Sequence, residues 1–232
     1  MFSQTLQQIL DTKLIAIIRG VYGDTLVSLA KAYKEGGISC LEVTLDQTSE
    51  DNREKAYAAI AYISKKMGDT MCVGAGTVMN PDQVKKVVAA GASFIISPNT
   101  DQEVISETKR LNRISIPGAF TPSEIVKAYK FGADIVKLFP ANMLGPDYIK
   151  SIKAPLKHIP ILATGGVTPE NIGDYLKAGS TAVGVAGELV KKVWIQEGSF
   201  SNITKTAIAY LDAIEQFKKI NNTEVLENNG GK

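Results

Sequence analysis

Three ionisable side chains sit among apolar neighbours in this sequence. Lys137 lies inside Asp134-Ile135-Val136-Lys137-Leu138-Phe139-Pro140, a short apolar run stopped by a proline. Glu42 lies inside Cys40-Leu41-Glu42-Val43-Thr44-Leu45, and Arg19 closes Leu14-Ile15-Ala16-Ile17-Ile18-Arg19. Desolvation disfavours an ammonium ion, so a lysine held partly neutral is a nucleophile able to form a Schiff base with a keto acid. An unpaired carboxylate in mid-strand costs roughly several kcal/mol, so Glu42 needs a cation, which Lys137 or Arg19 could supply. So placed, Glu42 could move protons during carbinolamine and imine formation. Taken alone, Lys137 reads more readily as a lysine with a buried stem and its head in water. The surrounding elements have to decide.

One pattern recurs along the chain: a short β-rich run, a Gly-rich or polar turn, then an amphipathic stretch. Strand-like runs fall at 14–19, 40–45, 72–77, 94–97, 114–117, 134–139, 160–164 and 182–186, starting about 20 to 32 residues apart. Helical stretches follow the first seven, at 25–35, 50–66, 81–90, 101–111, 122–131, 146–153 and 169–178. A helix at 2–11 precedes the first strand, and a short run at 188–194 and a longer helix near 200–220 follow the last. Gly37, Gly91, Gly132 and Gly179 recur where a helix turns back into a strand, the place for a left-handed residue. Eight such βα units predict an α/β fold, a single (β/α)8 TIM barrel with an N-terminal helix before strand one. An open doubly wound sheet would show a Gly-rich fingerprint after its first strand, which Arg19-Gly20-Val21-Tyr22-Gly23 does not supply. The expected domain is residues 1–222, with 223–232 a disordered tail.

Composition narrows the function. A formal net charge of +2 argues against a nucleic-acid or anionic-membrane partner held by bulk electrostatics. No apolar run reaches the roughly 20 residues of a membrane span, and the N-terminal residues do not read as a signal peptide. Cys40 and Cys72, both in apolar runs, are expected to be reduced, buried thiols in a cytoplasmic protein. One histidine, His158, leaves too few soft ligands for a zinc site, and no cofactor is expected.

Barrel strands point alternate side chains inward, and both faces of such a sheet should be apolar. Several strands break that rule near their C-terminal ends. Ile17 with Arg19, Glu42 with Thr44, Ala75 with Thr77, and Lys137 with Phe139 each share a face, while Ser97 and Thr164 end their strands. If those faces point inward, Arg19, Glu42, Lys137 and several hydroxyls meet at the mouth, where barrels of this kind carry active sites. The turns Thr164-Gly165-Gly166-Val167-Thr168-Pro169 and Ala186-Gly187-Glu188 offer backbone N–H groups for a phosphate or carboxylate.

At this point the residues resemble a known family. The runs Leu41-Glu42-Val43-Thr44-Leu45, Gly74-Ala75-Gly76-Thr77-Val78, Ile96-Ser97-Pro98, Ile116-Pro117-Gly118, Val136-Lys137-Leu138-Phe139-Pro140-Ala141 and Thr164-Gly165-Gly166-Val167 occur in the order and spacing of the class I aldolases acting on 2-keto-3-deoxy-6-phosphogluconate (KDPG) and 4-hydroxy-2-oxoglutarate (KHG). The resemblance implies that Lys137 is the Schiff-base lysine and Glu42 the general acid/base. It also implies that Thr77 and Pro98 hold the keto-acid moiety and that Phe139 packs beside the imine. Arg19 matches an arginine facing the substrate's anionic group, and Gly165 and Gly166 match a phosphate-binding turn. The products would be pyruvate and an aldehyde, with no metal and a homotrimeric assembly.

Two positions depart from the family pattern. Asp46 stands where many members carry an arginine for the pyruvate carboxylate. Gly187 stands where members often carry a phosphate-binding serine, with Glu188 beside it. A carboxylate near a phosphate dianion is unfavourable unless it points away. The alternatives are therefore an aldolase for an unphosphorylated keto-deoxy sugar acid, and a non-catalytic barrel binding a sugar phosphate or keto acid. A further possibility is another phosphate-binding barrel enzyme, such as a thiazole-phosphate or indole-phosphate synthase. The Lys137–Glu42 combination favours the aldolase over all of these.

Overall fold

The computed structural model describes residues 2–229, and the side chains of residues 4–221. The elements are α1 (Phe2–Thr12), β1 (Leu14–Ile18), α2 (Gly23–Glu35), β2 (Cys40–Thr44), α3 (Glu50–Met67), β3 (Cys72–Gly76), α4 (Pro81–Ala89), β4 (Phe94–Ile96), α5 (Gln102–Arg110) and β5 (Ile114–Ile116). They continue as β6 (Gly118–Ala119), α6 (Pro122–Lys130), β7 (Val136–Leu138), a 3-10 turn (Ala141–Met143), α7 (Gly145–Lys153), β8 (Ile161–Thr164), α8 (Ile172–Lys177), β9 (Ala182–Val185), α9 (Lys192–Gln196) and α10 (Phe200–Asn229).

All strand pairings are parallel, in the order β5-β4-β3-β2-β1-β9-β8-β7-β6. The two ends of that order are halves of one barrel strand. Pro117 has no N–H to give the ladder, so the expected run at 114–117 splits there into β5, which pairs with β4, and β6, which pairs with β7. The Pro117 carbonyl still accepts from the Lys137 N–H at 2.8 Å. The ring therefore closes as the expected eight-stranded barrel.

Local chemistry explains the elements. Ser49, Asn80, Asp101 and Thr121 cap α3, α4, α5 and α6, each side chain accepting a backbone N–H of the first turn. Gly37, Gly91, Gly132 and Gly179 take φ of +91°, +106°, +103° and +110°, where each returning helix needs a left-handed residue. Helix α8 starts three residues later than its pattern suggests. The Asn171 side chain accepts from the Thr168 N–H and donates to the Gly166 carbonyl, holding 168–171 as a turn rather than a first helical turn.

Two apolar clusters result. The larger lies between the sheet and its helices. The smaller fills the barrel with the inward residues Ile15, Cys40, Phe94, Ile96, Ile114, Ile116, Ile135, Leu162 and Ala182, and Ile9 of α1 closes it from below. The chain boundary expected at 222 falls within α10, and residues 230–232 of the expected disordered tail lie outside the described residues. Among the described residues no helix is long and apolar enough to cross a membrane.

Candidate active site

Above the inner cluster the barrel interior turns polar and opens into a cavity of about 350 Å³ at the C-terminal ends of the strands. Arg19, Glu42, Thr77, Pro98, Lys137, Phe139, Thr164, Gly165, Gly166 and Gly187 all line it. The residues expected to catalyse or to hold substrate are thus brought to one cavity, whereas Thr44 and Ser97 are not.

The strands position them by register. Glu42 pairs with Ile17 on one side and Gly74 on the other, Lys137 with Gly118 and Leu162, and Thr164 with Gly184. Glycine makes room at two inward positions, one beside the acid and one beside Thr164. A Cβ at Gly76 would run into the Glu42 carboxylate, and one at Gly184 would stand 2.6 Å from Thr164 Oγ1. The narrow ring thereby accommodates the larger side chains. Below Lys137, Asp134 fixes the entry into β7: its carboxylate pairs with Lys109 at 2.6 Å and accepts from the Ser115 N–H at 2.8 Å.

Glu42 is buried, and burial pushes its carboxyl above the ordinary range, against the pull of the Lys137 and Arg19 charges. Its Oε2 has no hydrogen-bond partner within the protein, and neither has Thr164 Oγ1. Both residues line the cavity, each with one hydrogen-bonding atom left without a protein partner. The Lys137 side-chain nitrogen lies 4.9 Å from the centre of the Phe139 ring, and Phe139 is itself exposed and part of the cavity lining. Lys137 and Arg19 are the basic residues of the lining, and Glu42 and Glu188 the acidic ones.

Thr77 reaches the cavity by a route that strand alternation does not give. Ala75 packs in the outer cluster, and β3 turns Cys72, Gly74 and Gly76 inward instead. The strand stops at Gly76, and a left-handed Thr77 (φ +58°) brings that residue to the mouth. Thr44 and Ser97, expected at the mouth, are buried without lining the cavity, and Thr44 donates to the Ile18 carbonyl. Asp46 also lies outside the lining. Its carboxylate accepts from the Thr48 N–H (2.9 Å), the Thr48 hydroxyl and Asn52, which hold it below the ordinary carboxylate range.

Sequence reasoning missed the residues that brace these turns. Gln47 and Gln83 pair their side-chain amides reciprocally at 3.0 and 2.9 Å, and Gln47 also donates to the Thr77 carbonyl at 2.7 Å. Asn142, on the 3-10 turn, packs against Gly165 and Gly166, whose φ values are +112° and +67°. Tyr210 of α10 donates its hydroxyl to the Val167 carbonyl at 2.8 Å. These contacts join residues far apart in the chain and leave no local pattern to read. Among the described residues no group of three or more His, Cys, Asp or Glu is arranged to hold a metal ion.

A parallel (β/α)8 barrel with a lysine and a buried carboxyl facing one enclosed mouth defines the class of Schiff-base barrel enzymes. The family model for KDPG and KHG aldolase matches residues 6–206, and the chain belongs to that family. It is 32% identical to the 2-dehydro-3-deoxy-6-phosphogalactonate aldolase of Escherichia coli K12, over 87% of this chain and 96% of the relative. Identity to the KHG/KDPG aldolase of the same organism is 35%, covering 78% and 82%. The KDPG aldolase of Legionella pneumophila, solved with pyruvate captured as a covalent carbinolamine, superposes with a TM-score of 0.79 at 29% identity, covering 89% and 98%. The chain is accordingly a lyase of the class I aldolase type.

Proposed function

We propose that this enzyme cleaves a 2-keto-3-deoxy-6-phospho-aldonate or 4-hydroxy-2-oxoglutarate into pyruvate and an aldehyde through an imine on Lys137. The observation that carries the reading is the placement of Lys137 and the unpartnered Glu42 carboxyl on one cavity. The Lys137 amine adds to the substrate's keto carbon, and loss of water from the carbinolamine leaves a protonated imine. The imine draws electrons from the adjacent carbon–carbon bond as Glu42 takes the proton of the substrate's C4 hydroxyl. The aldehyde leaves, the enamine is protonated on carbon, and hydrolysis returns pyruvate and free Lys137. Thr77 and Pro98 flank the keto acid and Phe139 covers the imine. Arg19 faces an anionic group, and the N–H groups of the Gly165-Gly166 turn and Gly187 meet the far end of the substrate.

Borohydride reduction in the presence of pyruvate is expected to leave one covalent adduct on Lys137, read by peptide mass spectrometry. Lys137→Ala is expected to give neither adduct nor turnover. An adduct on another lysine, or turnover by the variant, would overturn the assignment. A second reading rests on Glu188, an exposed acidic residue of the cavity lining: the preferred substrate is then an unphosphorylated keto-deoxy acid. The proposal includes a cytoplasmic homotrimer. The family resemblance, two free thiols, and the exposed apolar side chains Met143 and Leu144 support it. Light scattering on the purified chain tests the assembly.

A further inference from the structure

The other end of the barrel carries a pair of groups that the proposed reaction does not use. Cys40 opens β2 and Cys72 opens β3, and the two are direct partners in the parallel ladder. Neighbouring strands run about 4.7–4.9 Å apart, within the separation at which two cysteine backbones can share one bridge. Both side chains turn inward against the inner cluster, and both thiols are free. Around them, Cys72 donates to Gln8 Oε1 at 2.8 Å, and Thr12 Oγ1 lies 3.7 Å from Cys40 Sγ.

Two cysteines at such a place can be plain apolar filling. Their surroundings here are not those of filling. Against the expectation that both thiols are buried, Cys72 is only partly so and lines a cleft of about 740 Å³ beneath the barrel, together with Gln4, Gln8 and Asp11 of α1 and Ser64 and Thr70. Cys40 lies behind it, buried. The neighbouring Cys40 thiol holds the Cys72 thiol below its ordinary range, against the effect of burial. The neighbouring Cys72 thiol and burial push Cys40 up. The outer sulfur is thus the entry nucleophile, and the inner one is already beside it.

We propose that Cys40 and Cys72 form a dithiol site on the barrel floor that binds a soft, thiophilic centre through both sulfurs. A trivalent arsenical is the probe. Phenylarsine oxide loses its oxygen as water with the two thiol protons while two As–S bonds form, so no oxidant is needed. The second bond is intramolecular, and its high effective concentration is what distinguishes a dithiol site from two separate thiols.

The full chain is reduced, freed of reductant and treated with one equivalent of phenylarsine oxide, and the intact mass is recorded. The expected result is one adduct per chain that survives a large excess of a monothiol and is removed by a small dithiol. Cys72→Ser, the less costly change because that side chain is half-buried, is expected to weaken retention about a hundredfold. Aldolase turnover of this variant should persist, which separates lost chelation from a lost fold. An adduct that the monothiol strips from the wild-type chain overturns the site. So does a Cys72→Ser variant that holds the arsenical as firmly.

Discussion

Glu42 is the residue whose cost and use are most closely tied. Burial raises its folded pKa above the ordinary 4.5, so the folded chain holds this proton more tightly than the unfolded one. By linkage, the stability it contributes is fully present below pH 4.5 and is lost as pH rises through the raised folded value. Glu42→Gln removes that loss. Its urea midpoint should therefore exceed that of the wild type at pH 7, with the gap narrowing toward pH 4. In turnover the same variant is expected to lose about 10²–10⁴-fold while still forming a borohydride-trappable pyruvate adduct, because the nucleophile remains. Glu42 and Lys137 were legible in the sequence because a charge amid strand-forming apolar residues is conspicuous. Thr77 was assigned to the right place for the wrong reason. Alternation failed at the left-handed turn, and no sequence pattern marks a threonine that adopts φ +58°.

The elements were legible through their punctuation. Cap residues and C′ glycines repeat with each βα unit, and the eight-stranded barrel follows from counting them. The break at Pro117 and the late start of α8 were not, since each depends on a tertiary choice: which neighbour a strand half pairs with, and whether Asn171 caps a turn or enters a helix. Two predictions belong to this scale. Gly76→Ala would push a Cβ into the Glu42 carboxylate, and β3 has no slack because Gly74 already abuts the Phe94 ring. The substitution should cost about 1–3 kcal/mol in urea unfolding and depress kcat, with far-ultraviolet circular dichroism unchanged. Tyr210 is held protonated by burial, reinforced by the Glu188 and Glu170 carboxylates, so its hydroxyl remains a donor to Val167. Tyr210→Phe leaves that carbonyl unpaired beside the Gly165-Gly166 turn. The expected outcome is a loss of about 1–3 kcal/mol of stability and a raised KM for the anionic substrate, with kcat little changed. Tyr210 lies beyond residue 206, where the family match ends, so this brace comes from the chain's own last helix.

Across the whole molecule, a net charge of +2 gives little long-range attraction for an anion, so discrimination must come from the cavity itself. There two cations, Lys137 and Arg19, face two acids, Glu42 and Glu188. Glu42 is deep and its carboxyl is biased toward the neutral form, whereas Glu188 is exposed at the rim. The rim acid is therefore the one that would meet a phosphate dianion. Replacing it, Glu188→Ser, should raise kcat/KM for a phosphorylated keto-deoxy acid about fivefold relative to its unphosphorylated counterpart in a coupled pyruvate-release assay. The gain should shrink as ionic strength rises, because an exposed charge acts over no more than a Debye length of about 8–10 Å. An equal change for both substrates, or a gain indifferent to salt, would mean that Glu188 turns away from the ligand. The selectivity would then rest on the Gly165-Gly166 and Gly187 backbone alone.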